Sequence, residues 1–253
     1  MQRAINNQGG IIRPTKTKKD PRLGPDIILV MIQADLDFLL SQFREEAFDH
    51  FNMRTFHLYR INHPKERTFA LAGPFIGAPH AVMGMEKVIA LGAKRIWAFG
   101  WCGSLRPSLT IGDLVIPASA LSEEGTSQHY PIGGRQPTSD ETLNRALEAS
   151  LIEKGRTFLK GPVWTTDAPY RETPEKVLAY RERGALAVEM EMSALMTLAI
   201  YRKVRLSGLL VVSDELFDLR WRPGFSNLKR KEASRFAGKR LLDVVESFET
   251  ERT

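Results

Sequence analysis

The alternation of short apolar runs with helical patterns constrains the fold of this chain more than any other feature. Apolar runs at residues 26–32, 94–101 and 205–216 read as strands, and residues 34–48 and 77–93 read as helices. Such alternation is typical of an α/β fold with a largely parallel sheet. The 253 residues are 43% hydrophobic and show no internal repeat or linker in the middle, which favours one large domain.

The charge pattern separates the start of the chain from the rest. The net charge is +6, and basic residues concentrate in residues 11–22 and 228–240. We interpret residues 1–22 as a flexible basic arm ahead of a domain spanning residues 23–253, and the second basic stretch as the solvated face of a helix. No recognised reader motif accompanies the charge, so we expect no nucleic-acid partner.

The cysteine count and the apolar runs limit where this chain works. Cys102 is the single cysteine, which excludes an internal disulfide framework and a multi-cysteine metal site. The N-terminus lacks the apolar region of a signal peptide, and no apolar run is long enough to span a bilayer. We therefore expect a cytoplasmic protein with no membrane partner and no metal site.

Polar residues follow four of the predicted strands, at residues 100–103, 165–167, 189–191 and 213–214. Open parallel sheets bind their ligands beyond the carboxyl ends of the strands. The sequence therefore predicts that these four segments converge on one ligand site.

The glutamates in this set lie inside an apolar run. Glu189 and Glu191 are two residues apart within residues 185–195, where an unpaired buried carboxylate is costly. A carboxylate can accept two hydrogen bonds from the hydroxyls of a ribose, and it can stabilise positive charge that develops on the sugar. The alternative is structural, with one glutamate capping the next helix and pairing with an arginine.

Asp214 ends the apolar run of residues 205–216 and has two interpretations as well. Ser213 and Asp214 form a common turn pair, so the aspartate can simply cap a turn. In a dry pocket, however, a carboxyl group can stay protonated and act as a general acid.

Together these segments resemble a known family. AVEMEMSAL, followed some twenty residues later by LLVVSDE, is similar to the nucleoside phosphorylase and nucleosidase superfamily of the purine nucleoside phosphorylase and uridine phosphorylase type. The Gly-rich turn and helix at residues 73–96, the turn FGWCGSL and the strand IGDLVIP resemble it too, so the resemblance extends from about Asp26 over most of the chain. It implies a single-domain, three-layer α/β/α sandwich with a central mixed, largely parallel sheet.

The resemblance also implies an activity and a set of roles. It implies a pentosyltransferase of nucleoside metabolism, in purine salvage, that cleaves the N-glycosidic bond with phosphate and yields free base and pentose 1-phosphate. No cofactor is implied, because phosphate is a co-substrate. The catalytic residues would be Glu191, which binds the ribose hydroxyls, and Asp214, which protonates a purine at N7. Met190 would pack on the sugar with Glu189 supporting it, and the base would contact Thr166, Asp167, Tyr170 and Ser213. Tyr170 could equally be a core or interface aromatic.

The phosphate site departs from the family pattern. The Gly-Asp-Pro turn after the first strand is replaced by MIQADLDF, the family's arginine aligns with Ala98, and its serine or threonine aligns with Trp101. The remaining candidates for phosphate are Arg54, His80, Arg171 and Gly77. Arg54 resembles an arginine that a neighbouring subunit lends, which implies a homo-oligomer with shared active sites.

These departures leave alternatives open. A nucleosidase of the same superfamily would use water, with Asp35 or Asp37 as the base, although both can also be first-turn acids of a helix. A non-catalytic nucleoside sensor would keep the ribose site and lose the phosphate site. The sequence leaves open the physiological substrate, the base, the tolerance for 2′-deoxyribose and the exact oligomeric state.

Overall fold

The computed structural model describes residues 10–62 and 68–248 of the chain. In these residues a ten-stranded sheet lies between α-helices. The strands are β1 (Asp26–Val30), β2 (Phe48–Asn52), β3 (His57–Asn62), β4 (Thr68–Gly73), β5 (Arg95–Ser104), β6 (Leu114–Ser122), β7 (Leu159–Thr165), β8 (Ala187–Glu189), β9 (Arg205–Glu215) and β10 (Arg222–Pro223). The helices are α1 (Gln33–Leu40), α2 (Ala78–Leu91), α3 (Glu141–Glu153), α4 (Pro174–Glu182), α5 (Met192–Arg202) and α6 (Leu228–Ser247).

The sheet is mixed. Strand β1 pairs in parallel with β4 and β5, β5 pairs in parallel with β9, and β7 pairs in parallel with β6 and β8. Antiparallel pairing of β8 with β5 and of β6 with β9 closes β5, β9, β6, β7 and β8 into a ring. Beyond β4 the sheet continues through the antiparallel hairpin of β3 and β2. The predicted α/β class with a mixed sheet is confirmed.

Helices cover both faces of the sheet because the strand side chains alternate between two apolar clusters. On β5, Ile96 and Ala98 belong to the cluster that contains α2 and α5, whereas Trp97 and Phe99 belong to the cluster of α1, α3 and α6. This arrangement is a three-layer sandwich, as expected.

Helix ends follow local capping. Helix α4 begins with Thr173 as the N-cap, whose hydroxyl accepts from the Lys176 N–H, and with Pro174 as the first residue. The helix predicted for residues 34–48 is wrong in length, because α1 ends at Leu40. The Ser41 hydroxyl and the Gln42 amide both donate to the Phe38 carbonyl and close the last turn. The chain then enters β2, which the sequence analysis did not identify.

The described part of the basic arm contains no helix or strand. Lys87 of α2 donates to the Thr15 carbonyl at 2.7 Å and to Asp20 at 2.8 Å, so residues 15–20 contact the domain. Residues 1–9 of the predicted arm lie outside the described residues. Among the residues that are described, no helix is long and apolar enough to cross a membrane.

Candidate active site

The predicted polar strand ends lie next to one another. In the sheet, Thr165 of β7 is paired with Glu189 of β8, and Gly103 of β5 is paired with both Val188 and Asp214. Short strands and their pairing therefore place the carboxyl groups of Glu189 and Asp214 on either side of the end of β5. The ends of β5, β7, β8 and β9 are thus neighbours in the sheet, and their joint ligand site stays a prediction.

Glu189 is a buried carboxylate that caps helix α5. Its Oε2 accepts hydrogen bonds of 2.6 Å from the backbone N–H groups of Glu191 and Met192, and the Thr165 hydroxyl donates to Oε1. Glu189 is thus the glutamate that caps the next helix, as the structural alternative expects. Its partners are a hydroxyl and two backbone amides, however, and not an arginine. Because it binds the Glu191 backbone, Glu189 also fixes the direction in which Glu191 leaves the chain.

Glu191 crosses to the Gly-rich turn before α2. Its Oε1 accepts a hydrogen bond of 2.6 Å from the Gly77 N–H, and the side chain is only 8% exposed. Gly77 has φ of 75°, a backbone conformation that favours glycine. Burial, and next the negative charge of Glu189, raise the pKa of Glu191. A hydroxyl-rich ligand would satisfy such a carboxylate well, and Met190 lies half-buried beside it.

A second layer of polar residues supports the pair. The Ser193 N–H donates to the Thr165 hydroxyl oxygen at 2.9 Å, and the Ser193 hydroxyl donates to Glu124 at 2.8 Å. Glu124 also accepts from the Thr126 and Ser127 N–H groups and so ties the loop after β6 to α5. The sequence analysis missed Glu124, and its only sequence signal is an acid next to a run of small polar residues.

Asp214 ends β9 with both carboxyl oxygens engaged. The Ser213 hydroxyl donates to Oδ1 at 2.6 Å, and the Trp221 indole N–H donates to Oδ2 at 2.9 Å. Burial raises the pKa of Asp214 against the effect of these two donors. Burial raises the pKa of Glu172 to about 7, and the negative charge of Asp214 contributes to the rise. Trp221 and Glu172 are further residues of this site that the sequence analysis missed.

The predicted base contacts divide into buried and exposed groups. Thr166 is buried, and its N–H donates to the Glu189 carbonyl at 2.9 Å. Asp167 accepts from the Gly125 N–H at 2.9 Å and lines an open cavity of about 1140 Å³. Tyr170 is 99% exposed, so in the single chain its ring packs on nothing that could form a pocket.

Of the phosphate candidates, Arg54, His80 and Gly77 lie on or next to two neighbouring turns, whereas Arg171 lies elsewhere, beside Tyr170. Arg54 lies at φ of 74° in the turn between β2 and β3, exposed, and lines the same cavity as Asp167. His80 uses both ring nitrogens, accepting from the Ile76 N–H at 3.3 Å and contacting the Thr55 carbonyl at 2.9 Å. These bonds tie the turn that carries Arg54 to the Gly-rich turn. Arg171 is exposed beside Tyr170.

Trp101 fills the place where the resemblance expects a small hydroxyl. Its indole N–H donates to Asp35 at 2.8 Å, and the Arg230 guanidinium lies 4.2 Å from the indole ring centroid. Burial raises the pKa of Asp35 to about 6, against the opposing effects of the Trp101 hydrogen bond and the Arg230 charge. Asp37, in contrast, is exposed and accepts from Gln33 one turn earlier. Of the two acids, only Asp35 lies beside this aromatic group.

Metal ligands do not cluster in the part of the chain that the structure describes, where no group of three or more His, Cys, Asp or Glu side chains could hold an ion.

A family model described as the phosphorylase superfamily matches residues 26–248. The chain belongs to the phosphorylase superfamily. The match runs from the first residue of β1 to the residue after α6 and contains every strand that positions Glu189, Glu191 and Asp214.

Curated members of the superfamily are similar over part of their length. Guanosine phosphorylase of Halorubrum lacusprofundi is 28% identical over 141 residues, which are 56% of this chain and 58% of that protein. The DeoD-type purine nucleoside phosphorylase of Caldanaerobacter subterraneus subsp. tengcongensis is 32% identical over 154 residues, which are 60% of this chain and 66% of that protein. The matches thus span less than two thirds of these relatives.

Solved structures of phosphorylase superfamily members share the fold. Purine nucleoside phosphorylase from Toxoplasma gondii, in complex with immucillin-H, has a TM-score of 0.78 at 22% identity and covers 88% of this chain and 91% of its own. Uridine phosphorylase from Vibrio fischeri has a TM-score of 0.79 at 18% identity and covers 90% of this chain and 94% of its own. The fold is therefore common to purine-type and pyrimidine-type members.

Proposed function

We propose that this chain cleaves the N-glycosidic bond of a purine nucleoside and transfers the pentosyl group to phosphate. The products would be the free base and pentose 1-phosphate, and no cofactor would be needed. The observation that carries the proposal is the pair formed by Glu191, held at Oε1 by Gly77, and the half-buried Asp214, both next to the end of β5. The family and the phosphorylase relatives support phosphate as the acceptor.

Glu191 would bind the sugar. A carboxylate accepts hydrogen bonds, so its oxygens suit the 2′ and 3′ hydroxyls of a ribose. As the glycosidic bond breaks, positive charge develops on the sugar ring. Sugar hydroxyls that donate to Glu191 favour its ionised form, and the carboxylate then stabilises that charge in a water-poor site. Glu189 would hold Glu191 in place through the backbone N–H groups it accepts from. Met190 would cover the face of the sugar.

Asp214 would protonate the leaving base. A purine leaves more easily when N7 takes a proton, because the electron pair of the broken bond then stays on a neutral base. Burial favours the protonated form of Asp214, which a general acid requires. Ser213, Thr166 and Asp167 would complete the base pocket, and Tyr170 would contribute if a neighbouring subunit covers it.

Phosphate would enter from the side of Arg54. A phosphate dianion needs charge-assisted donors, and the family's own arginine positions hold other residues here. Arg54 is exposed on a hairpin turn, so it could reach a site of a second copy, with Gly77, His80 or Arg171 adding donors. We therefore propose a homo-oligomer with shared active sites, working in the cytoplasm, with residues 23–253 as the catalytic domain and residues 1–22 as a basic arm.

Product analysis tests this proposal. Purified protein would be incubated with inosine, guanosine, adenosine and uridine, each with and without phosphate, and base and sugar products would be separated by chromatography. We expect purine release that requires phosphate and yields ribose 1-phosphate. Phosphate-independent release of free ribose at the same rate would refute phosphate as the acceptor, and nucleosides bound unchanged would indicate a sensor.

Water is the second candidate acceptor, and the contact between Trp101 and Asp35 favours it. The indole occupies the position of a phosphate-binding hydroxyl, and Asp35 is a buried carboxylate with a pKa of about 6 that could activate water. Asp35→Asn would then abolish release of free ribose. Asp37→Asn is the matched control, because Asp37 lies on the same helix but is exposed and accepts a hydrogen bond from Gln33.

A further inference from the structure

The segment that follows β9, residues 216–227, is fixed beside Asp214. Its strand β10 pairs with the end of β9, so that Arg222 lies opposite Glu215 and Pro223 opposite Asp214. The Gly224 N–H donates to the Ser213 carbonyl at 2.8 Å. A Cβ at Gly224 would lie 2.7 Å from that same oxygen, so the close approach requires glycine. The backbone of the segment is thus held against the proposed acid.

The two donors to Asp214 differ in their freedom to move. Ser213 is 3% exposed, and its hydroxyl is enclosed between Asp214 and the Cys102 carbonyl. Trp221 is 61% exposed, and its ring packs at a tilt on Phe225 with centroids 6.0 Å apart. The indole can therefore leave Oδ2 by rotating about its own side-chain bonds, while the serine stays in place.

We propose that Trp221 is a positioning residue that keeps Asp214 ionised in the free protein and gives up its hydrogen bond when a purine enters. The inference rests on the proposed function of this site. An indole N–H only donates, so it stabilises the carboxylate form. A purine that needs a proton at N7 competes with the indole for the same side of the carboxyl group. Trp221 thus couples protonation of the acid to arrival of the base.

The proton balance is simple. When the indole leaves Oδ2, Asp214 takes a proton from solvent before the bound base closes the site to water. As the C1′–N9 bond breaks, its electron pair moves into the purine ring, the Asp214 proton passes to N7, and C1′ forms its new bond to an oxygen of phosphate. Asp214 ends as a carboxylate, and the indole can return to Oδ2 once the base leaves.

Further charged or titratable groups lie around Asp214, on the elements packed against it. Glu215 on the same strand raises the pKa of Asp214, and Arg222 lies 3.8 Å from Glu215 and offsets part of that charge. Glu172, from the segment before α4, and Cys102, from β5, are both affected by the negative charge of Asp214. Ser213 and Trp221 are the side-chain donors that favour the ionised form.

A comparison of Trp221→Phe with Ser213→Ala tests the proposal. In pH profiles, kcat/KM reports the free protein and kcat reports the substrate complex. An acid loses activity as the pH rises through its pKa, so loss of a donor should move the basic limb to higher pH. With each profile normalised to its own plateau, we expect kcat/KM on the basic limb to be about three- to tenfold higher in Trp221→Phe than in the wild type. The pH profile of kcat should be unchanged. Ser213→Ala should shift both profiles.

A titration of the free protein separates this inference from the proposed function. In protein labelled with ¹³C at the aspartate carboxyl carbons, the Asp214 resonance should titrate at higher pH in Trp221→Phe than in the wild type. The inference is refuted if that titration is unchanged, or if Trp221→Phe shifts the kcat profile as far as the kcat/KM profile. Failure of the wild type to release any base would refute the proposed function instead, and the titration would still report on Trp221.

Discussion

Replacing Asp214 with asparagine tests the proposed acid most directly. Asparagine keeps the size of the side chain and its acceptor for the Ser213 hydroxyl, but it has no proton to give to N7. General acid catalysis contributes about 10²–10⁴-fold, which corresponds to roughly 3–5 kcal/mol of transition-state stabilisation. We expect turnover of guanosine to fall by that factor in Asp214→Asn.

A second substrate shows whether the loss comes from the missing proton. In 7-methylguanosine the imidazole ring already carries a positive charge, so the base leaves without protonation at N7. The two nucleosides share the same sugar, and Glu191 would bind both alike. We expect Asp214→Asn to cleave 7-methylguanosine within about tenfold of the wild-type rate, because the acid has no role in that reaction.

The assay is base release followed by chromatography, with both nucleosides at saturating concentration. The melting temperature of the variant should stay close to that of the wild type, because asparagine keeps the bond from Ser213 and loses only the one from the exposed Trp221. Equal losses on the two nucleosides would show that Asp214 shapes the site without donating a proton. Wild-type turnover of guanosine would remove Asp214 from the mechanism.

Three further predictions concern the sugar, the acceptor and stability. Glu191→Gln should lower kcat/KM for ribonucleosides by about 10²–10³-fold, measured by initial rates, because it removes the anion that faces the sugar. Arg54→Ala should raise the phosphate KM by about tenfold or more, because a charged donor is lost. Oligomers that mix Arg54→Ala subunits with Glu191→Gln subunits should regain activity. Mixtures as inactive as the two parent variants would contradict shared active sites. Glu172 has its pKa raised from 4.5 to about 7, so the folded state holds a proton that the unfolded state releases, and stability falls as the pH rises between these values. We compare the free energy of unfolding of Glu172→Gln with that of the wild type by thermal melts at pH 4 and pH 8. The difference in favour of the variant should be larger at pH 8 by about 1–2 kcal/mol, and an equal difference at both pH values would contradict a buried charge at Glu172.

Much of the site could be predicted because it depends on local patterns. Strand periodicity places the residues after β7, β8 and β9 at one edge of the sheet, and the sequence around Glu191 and Asp214 matches the family pattern. Strand β2 was missed because Asp49, His50 and Asn52 give it a polar sequence at the edge of the sheet, where it pairs with β3 alone among the described strands. An edge strand with exposed polar side chains carries little periodic signal.

The contacts that could not be predicted join distant parts of the chain. The bond from Gly77 to Glu191 spans 114 residues, and the bond from Ser193 to Glu124 spans 69. The sequence around Gly77 or Glu124 does not indicate which group each one binds, because a backbone N–H or a loop carboxylate can bind many groups. The contact of Trp101 with Asp35 could not be predicted either. An acid in the first turn of a helix is common without such a partner, and nothing near Trp101 in the sequence points to Asp35.

Trp101, Asp35 and Arg230 form a cluster of mutual contacts between β5, α1 and α6. Arg230 is 5% exposed, and its charge is compensated by Asp35 and the indole face, so it offers little net attraction to a dianion. An ionised Asp35 would repel a phosphate dianion at this position. The open cavity that Arg54 and Asp167 line carries an exposed cation instead. If phosphate is the acceptor, we expect it to approach from the side of Arg54, whereas Trp101, Asp35 and Arg230 pack β5 against α1 and α6.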